Sequence, residues 1–76
     1  MPIPDHLQIA TAQLLCDYEK WGPTPDPRAF NVVLAGRYAK GELQATFRRE
    51  HDRWVLVKVC LQYEACGKTL TENYYV

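Results

Sequence analysis

The stretch from Glu42 to Tyr63 (ELQATFRREHDRWVLVKVCLQY) constrains the fold of this chain more than any other. β-Branched and aromatic residues are densest there, and a polar cluster at Glu50 to Arg53 divides it, which is the pattern of a β-hairpin with its turn at those residues. In the first arm Leu43, Ala45 and Phe47 alternate with Gln44, Thr46 and Arg48, the period of a half-buried strand. In the second arm Trp54 to Leu61 is apolar except for Lys58, as expected of a strand covered on most of both faces. Parity decides the register. An odd-numbered loop, or an equivalent bulge, aligns Leu43, Ala45 and Phe47 with Val55, Val57, Val59 and Leu61, whereas an even loop sets Phe47 beside Leu56 and Lys58. The odd loop or an equivalent bulge is the expectation, because a slip of one residue would move every side chain to the other face, and no Asn-Gly or Asp-Gly marks a two-residue turn.

Before the hairpin, Met1 to Pro4 reads as an extended lead-in. Asp5 with Gln8 three residues on has the form of a capping box. Leu7, Ala10, Leu14, Tyr18 and Trp21 then fall on one helical stripe, and Gly22-Pro23 ends it, which predicts a first helix from about His6 to about Trp21. Asp26-Pro27 is a second start signal and Lys40-Gly41 a second ending. Phe30, Val33, Leu34, Arg37 and Tyr38 have helical spacing between them, so a second helix is expected from Pro27 to Lys40. The competing reading makes Phe30 to Tyr38 a strand, since Val32 and Val33 favour one and Gly36 costs a helix about 1 kcal/mol. The signals at both ends favour the helix.

After the hairpin, Glu64 to Lys68 is a reversal with a glycine available for positive φ, and Thr69 to Val76 alternates again. A four-residue loop there places Leu70 beside Leu61, Tyr74 beside Val57 and Val76 beside Val55. The expected fold is one α+β domain spanning residues 1–76, of ααβββ type: two N-terminal helices packed on one face of a three-stranded antiparallel meander.

Charge and cysteine content narrow the function classes. Nine Lys and Arg balance nine Asp and Glu, so no global field draws nucleic acid or an anionic membrane to the chain. No apolar run approaches the roughly 20 residues of a membrane span, and the first residues lack the basic and apolar regions of a secretory leader. Three cysteines, Cys16, Cys60 and Cys66, without a CxxC read as reduced thiols, and a cytoplasmic location is expected. Their spacing with His6 and His51 matches no zinc motif, and neither a metal nor a cofactor is expected.

Candidate chemistry lies in three places. His51, within Arg48-Arg49-Glu50-His51-Asp52-Arg53, could serve general acid–base chemistry on a phosphodiester, but a solvated hairpin tip explains the same charges. Glu72 is out of place, because it shares a strand face with Leu70, Tyr74 and Val76. An inward charge on an edge strand, or a salt bridge to Arg37, would account for it. The third place is the sheet's other face, where Arg48, Trp54, Leu56, Lys58 and Tyr75 are expected to stand together as a binding surface. These readings favour a non-enzymatic module that binds a protein partner or forms a homodimer. A single-stranded nucleic-acid binder using the same face is the alternative, and a small hydrolase centred on His51 is the second.

Overall fold

A computed structural model describes residues 2–22, 28–39 and 41–76. The elements are α1 (Asp5–Trp21), β1 (Asn31–Tyr38), β2 (Gly41–Glu50), β3 (Arg53–Ala65) and β4 (Lys68–Tyr75). The strands form one antiparallel sheet in the order β1-β2-β3-β4, and α1 packs on one face of it. The α+β class and the meander are as expected, but the ααβββ arrangement is not. Among the described residues, one helix and four strands stand where two helices and three strands were expected.

The expected second helix, Pro27 to Lys40, is overturned by β1. Val32, Leu34, Gly36 and Tyr38 turn inward, and Asn31, Val33, Ala35 and Arg37 turn outward, with burial alternating at every residue. The signals at Asp26-Pro27 and at Lys40 lie outside the described residues. Two physical effects favour the strand. Leu43, Ala45 and Phe47 of β2 are buried, and β1 pairs along their strand from Asn31↔Arg48 to Tyr38↔Gly41. Gly36, costly in a helix, faces Leu14 of α1, which would have to move to admit a Cβ there. Tertiary pairing outweighs the local spacing.

Helix α1 has nearly the expected bounds but a different start. Pro4 is its N-cap and makes no side-chain capping bond, and its carbonyl accepts the Leu7 and Gln8 N–H groups at 3.0 Å each. The Gln8 amide donates to the Ile3 carbonyl at 2.8 Å, so the capping box with Asp5 does not form. That contact also holds the lead-in down: Ile3 joins Leu7, Leu43 and Val59 in the core. Thr11, off the expected stripe, is buried and satisfies its hydroxyl on the Gln8 carbonyl at 3.0 Å. Trp21, on that stripe, is 84 % exposed.

The two later turns set the register. His51 and Asp52 have φ of 49° and 64°, and Glu50 pairs with Arg53, so β2 and β3 are joined by a two-residue turn, and of the two expected devices, an odd loop or an equivalent bulge, the bulge is present. Parity is restored by a bulge between Thr46 and Phe47, where Val57 is the extra residue of β3. Beyond the bulge the expected pairs are present, Ala45↔Val59 and Leu43↔Leu61. Toward the turn Phe47 opposes Leu56. Cys66 and Gly67, φ 53° and 74°, form the second two-residue turn. It replaces the expected four-residue loop, so β4 is displaced by two positions: Leu70 opposes Tyr63, Glu72 opposes Leu61 and Tyr74 opposes Val59. A shift of two keeps every side chain on its face.

Candidate functional site

The face of the sheet away from α1 carries rows of residues that cross all four strands. One row is Val33, Thr46, Lys58 and Tyr75, and the next is Ala35, Gln44, Cys60 and Asn73. Lys58 stands over the Tyr75 ring, 5.5 Å from its centroid. Arg48, opposite Val55 on the same face, is held by Glu50 at 2.7 Å. The surface is therefore apolar at the β1 edge, polar and cationic over β2 and β3, and aromatic at the β4 edge.

The five residues expected on one binding surface are divided between two faces. Arg48, Lys58 and Tyr75 stand on the uncovered face. Trp54 and Leu56 do not: the bulge at Val57 turns them to the helix side, where Leu56 packs against the core and Trp54 lies beneath the Arg49 guanidinium at 4.8 Å. A bulge of one residue exchanges the faces of everything beyond it. No simple alternation in the sequence announces it, because the run from Trp54 to Leu61 is apolar on both parities.

His51 sits exposed in the left-handed region of the hairpin turn, while the neighbouring Glu50 carboxylate is taken by Arg48. The structure gathers no second element around the imidazole among the described residues, so the tip is a turn and not a cleft. Cys16 and Cys60 are half-buried and Cys66 is exposed, all as free thiols. Among the described residues no group of three His, Cys, Asp or Glu side chains could hold a metal ion, and no helix is long and apolar enough to cross a membrane.

The helix-side face holds a second constellation, centred on Glu72. Its position inward beside Leu61 follows the expected parity, but Arg37 is not its partner, since Arg37 points to the other face. Two tyrosines meet it instead. The Tyr63 hydroxyl donates to one carboxylate oxygen at 3.0 Å and the Tyr74 hydroxyl to the other at 2.7 Å. Both phenols are held above their ordinary pKa, first by the hydrogen bond to Glu72, then by burial and by the nearby negative charge. They stay protonated and act as fixed donors.

Beside this carboxylate lies a concavity of about 370 Å³ lined by Tyr38, Ala39, Gly41, Leu61, Tyr63 and Glu72. His6 of α1 stacks behind Tyr38, with centroids 6.1 Å apart. Gly41 shapes the floor: a Cβ there would collide with the Gln62 carbonyl and come within 2.9 Å of the Tyr63 Cβ. The Glu72–Tyr74 pairing is readable from the sequence as two residues of like parity. The approach of Tyr63 is not, because it depends on the tight turn at Cys66-Gly67. Tyr38, expected on a second helix, reaches the concavity from the end of β1. No protein-family model matches the chain, and neither curated proteins nor solved structures offer a match from which its function could be carried over.

Proposed function

We propose that this chain is a small non-enzymatic binding module whose partner is a protein, self-association included, seated on the sheet face that α1 leaves uncovered. The observation that supports this is the row Val33, Thr46, Lys58 and Tyr75, which runs across every strand with Val33 61 % and Tyr75 53 % exposed. An exposed tyrosine and an exposed valine on one open face are the chemistry of interface centres, with Lys58 adding charge beside them. Four strands spaced about 4.8 Å, with edge strands of 8 residues at about 3.4 Å each, give a face of roughly 500 Å². A standard interface takes about 800 Å² per partner. The partner therefore also reaches over an edge strand, β1 or β4. Phosphate backbones are less suited to this face, because Arg37, Arg48, Arg53 and Lys58 are nearly balanced there by Glu42, Glu50 and Glu64, and Arg48 is engaged by Glu50.

A photo-crosslinking residue placed at Val33 or Tyr75, in cells that make the protein, tests this. Discrete polypeptide adducts are expected from both positions and not from Ile9 on the outer side of α1, itself 72 % exposed. The same adduct from the purified chain identifies a second copy as the partner. Equal adducts from all three positions, no adduct, or an adduct removed by nuclease would overturn the proposal.

A further inference from the structure

We infer that the concavity beside Glu72 is a binding site for a small organic cation, an ammonium group carried on an apolar body. The inference is independent of the uncovered face, since the site lies on the helix side of the sheet. Three features combine. The walls are apolar and aromatic, with Tyr38 and Tyr63 on either side of Gly41 and Leu61 next to Tyr63 along β3. The volume, about 370 Å³, is at the small end of ligand pockets. Glu72, the one carboxylate among the described residues that line it, is held in place by two donors.

The hydrogen bonds to Glu72 decide the class of ligand. Each carboxylate oxygen accepts one phenol, and a carboxylate offers about four lone-pair sites, so Glu72, which lines the concavity, retains acceptor capacity. Both donors are neutral, which leaves the negative charge in place. An anion is repelled. A neutral apolar ligand would strip water from the carboxylate and return nothing, which is unfavourable. An ammonium supplies charge-assisted hydrogen bonds to Glu72 and lies against phenol faces that favour cations. A bare metal ion is a poor fit, because one carboxylate and neutral phenols do not make a ligand set. Tyr38, braced by His6, and Gly41, which keeps the floor clear, preorganise the space.

The test uses the unaltered chain and amide chemical shifts read residue by residue. Phenethylammonium is titrated beside 2-phenylethanol and phenylacetate, which have similar bodies and a neutral or negative head. Saturable shifts are expected in Tyr38, Ala39, Gly41, Leu61, Tyr63 and Glu72, with the cation binding at least about tenfold more tightly than either control, as loss of a charge-assisted bond implies. A blocked lysine dipeptide forms a further arm. Binding comparable to that of phenethylammonium assigns the ammonium to a protein side chain, and weaker binding assigns it to a free amine. Glu72→Gln should remove the preference for the cation, and because the ligand series needs no variant, the test stands even if that variant fails to fold. Equal binding of cation and alcohol, shifts centred elsewhere, or no saturable shift at about 10 mM, within reach of weak ligands of this size, would overturn the inference.

Discussion

Leu14 of α1 occupies the space that a side chain at Gly36 of β1 would need: a Cβ built on Gly36 lies 2.6 Å from the Leu14 Cδ2. This contact seats the helix on the sheet, and it explains why a glycine stands in the middle of an edge strand. Gly36→Val should destabilise the fold by about 1–3 kcal/mol through overpacking. Gly36→Ala should cost less, because the obstructing atom is the end of a side chain that can turn. Urea unfolding of both variants, each repeated with Leu14→Ala, checks this. The Leu14→Ala background should recover much of the loss from Gly36→Val.

The Glu72 constellation predicts an alkaline signature. Tyr63 and Tyr74 have pKa values raised in the folded chain, so the folded state holds those protons more tightly than the unfolded state. Their contribution is fully present below the ordinary tyrosine pKa of about 10 and is lost as pH rises from there toward the raised values. Ultraviolet titration of tyrosinate should therefore show a late-ionising pair. Replacing Glu72 with Gln should move that pair down toward the ordinary value and flatten the fall in unfolding midpoint above about pH 10. An unchanged titration would show that the hydrogen bonds to Glu72 do not form in solution.

The hairpin turn carries strain that can be relieved. His51 and Asp52 both have positive φ, a region unfavourable to residues with a Cβ. Replacing the pair with Asn-Gly, the preferred two-residue sequence, should raise stability by about 0.5–1 kcal/mol and leave Glu50 paired with Arg53. The gain is measured by thermal or urea unfolding. The double variant also deletes the imidazole, so any hydrolytic rate assigned to His51 must vanish with it.

Native-state hydrogen exchange should rank the strands. β2 and β3 each have a neighbour on both sides, and Leu43, Ala45, Phe47 and Val59 are buried. Amides of Leu43 to Phe47 and Val59 to Leu61 should open only with global unfolding, and those of β4 that face outward should exchange sooner. Protection following a helical pattern over Asn31 to Tyr38 would contradict the pairing of β1.

Single-stranded oligonucleotides should bind no more tightly than about 10 μM near physiological salt, the tight end of ordinary non-specific affinity. Titration of labelled poly-pyrimidine and poly-purine strands measures this. A sub-micromolar, salt-dependent affinity that falls with Arg48→Ala and Lys58→Ala would replace the protein-partner proposal with the nucleic-acid alternative.

The residues by themselves determined α1, the central hairpin, the strand after it and the inward position of Glu72. Each depends on a local period or on a glycine and polar cluster that breaks it, and these survive whatever the rest of the chain does. Tertiary structure decided the remainder. Segment 30–38 has the spacing of a helix and the β-branched content of a strand, and the pairing of β2 settled the choice. The faces of Trp54 and Leu56 were decided by the bulge at Val57, invisible in a run that is apolar on both parities. The meeting of Tyr63 with Glu72 was decided by a two-residue turn at Cys66-Gly67. For segment 30–38 and for the bulge the deciding free energy comes from pairing with residues distant in sequence, which a local pattern does not encode; the turn is local, but its length sets a register that only the paired strands display.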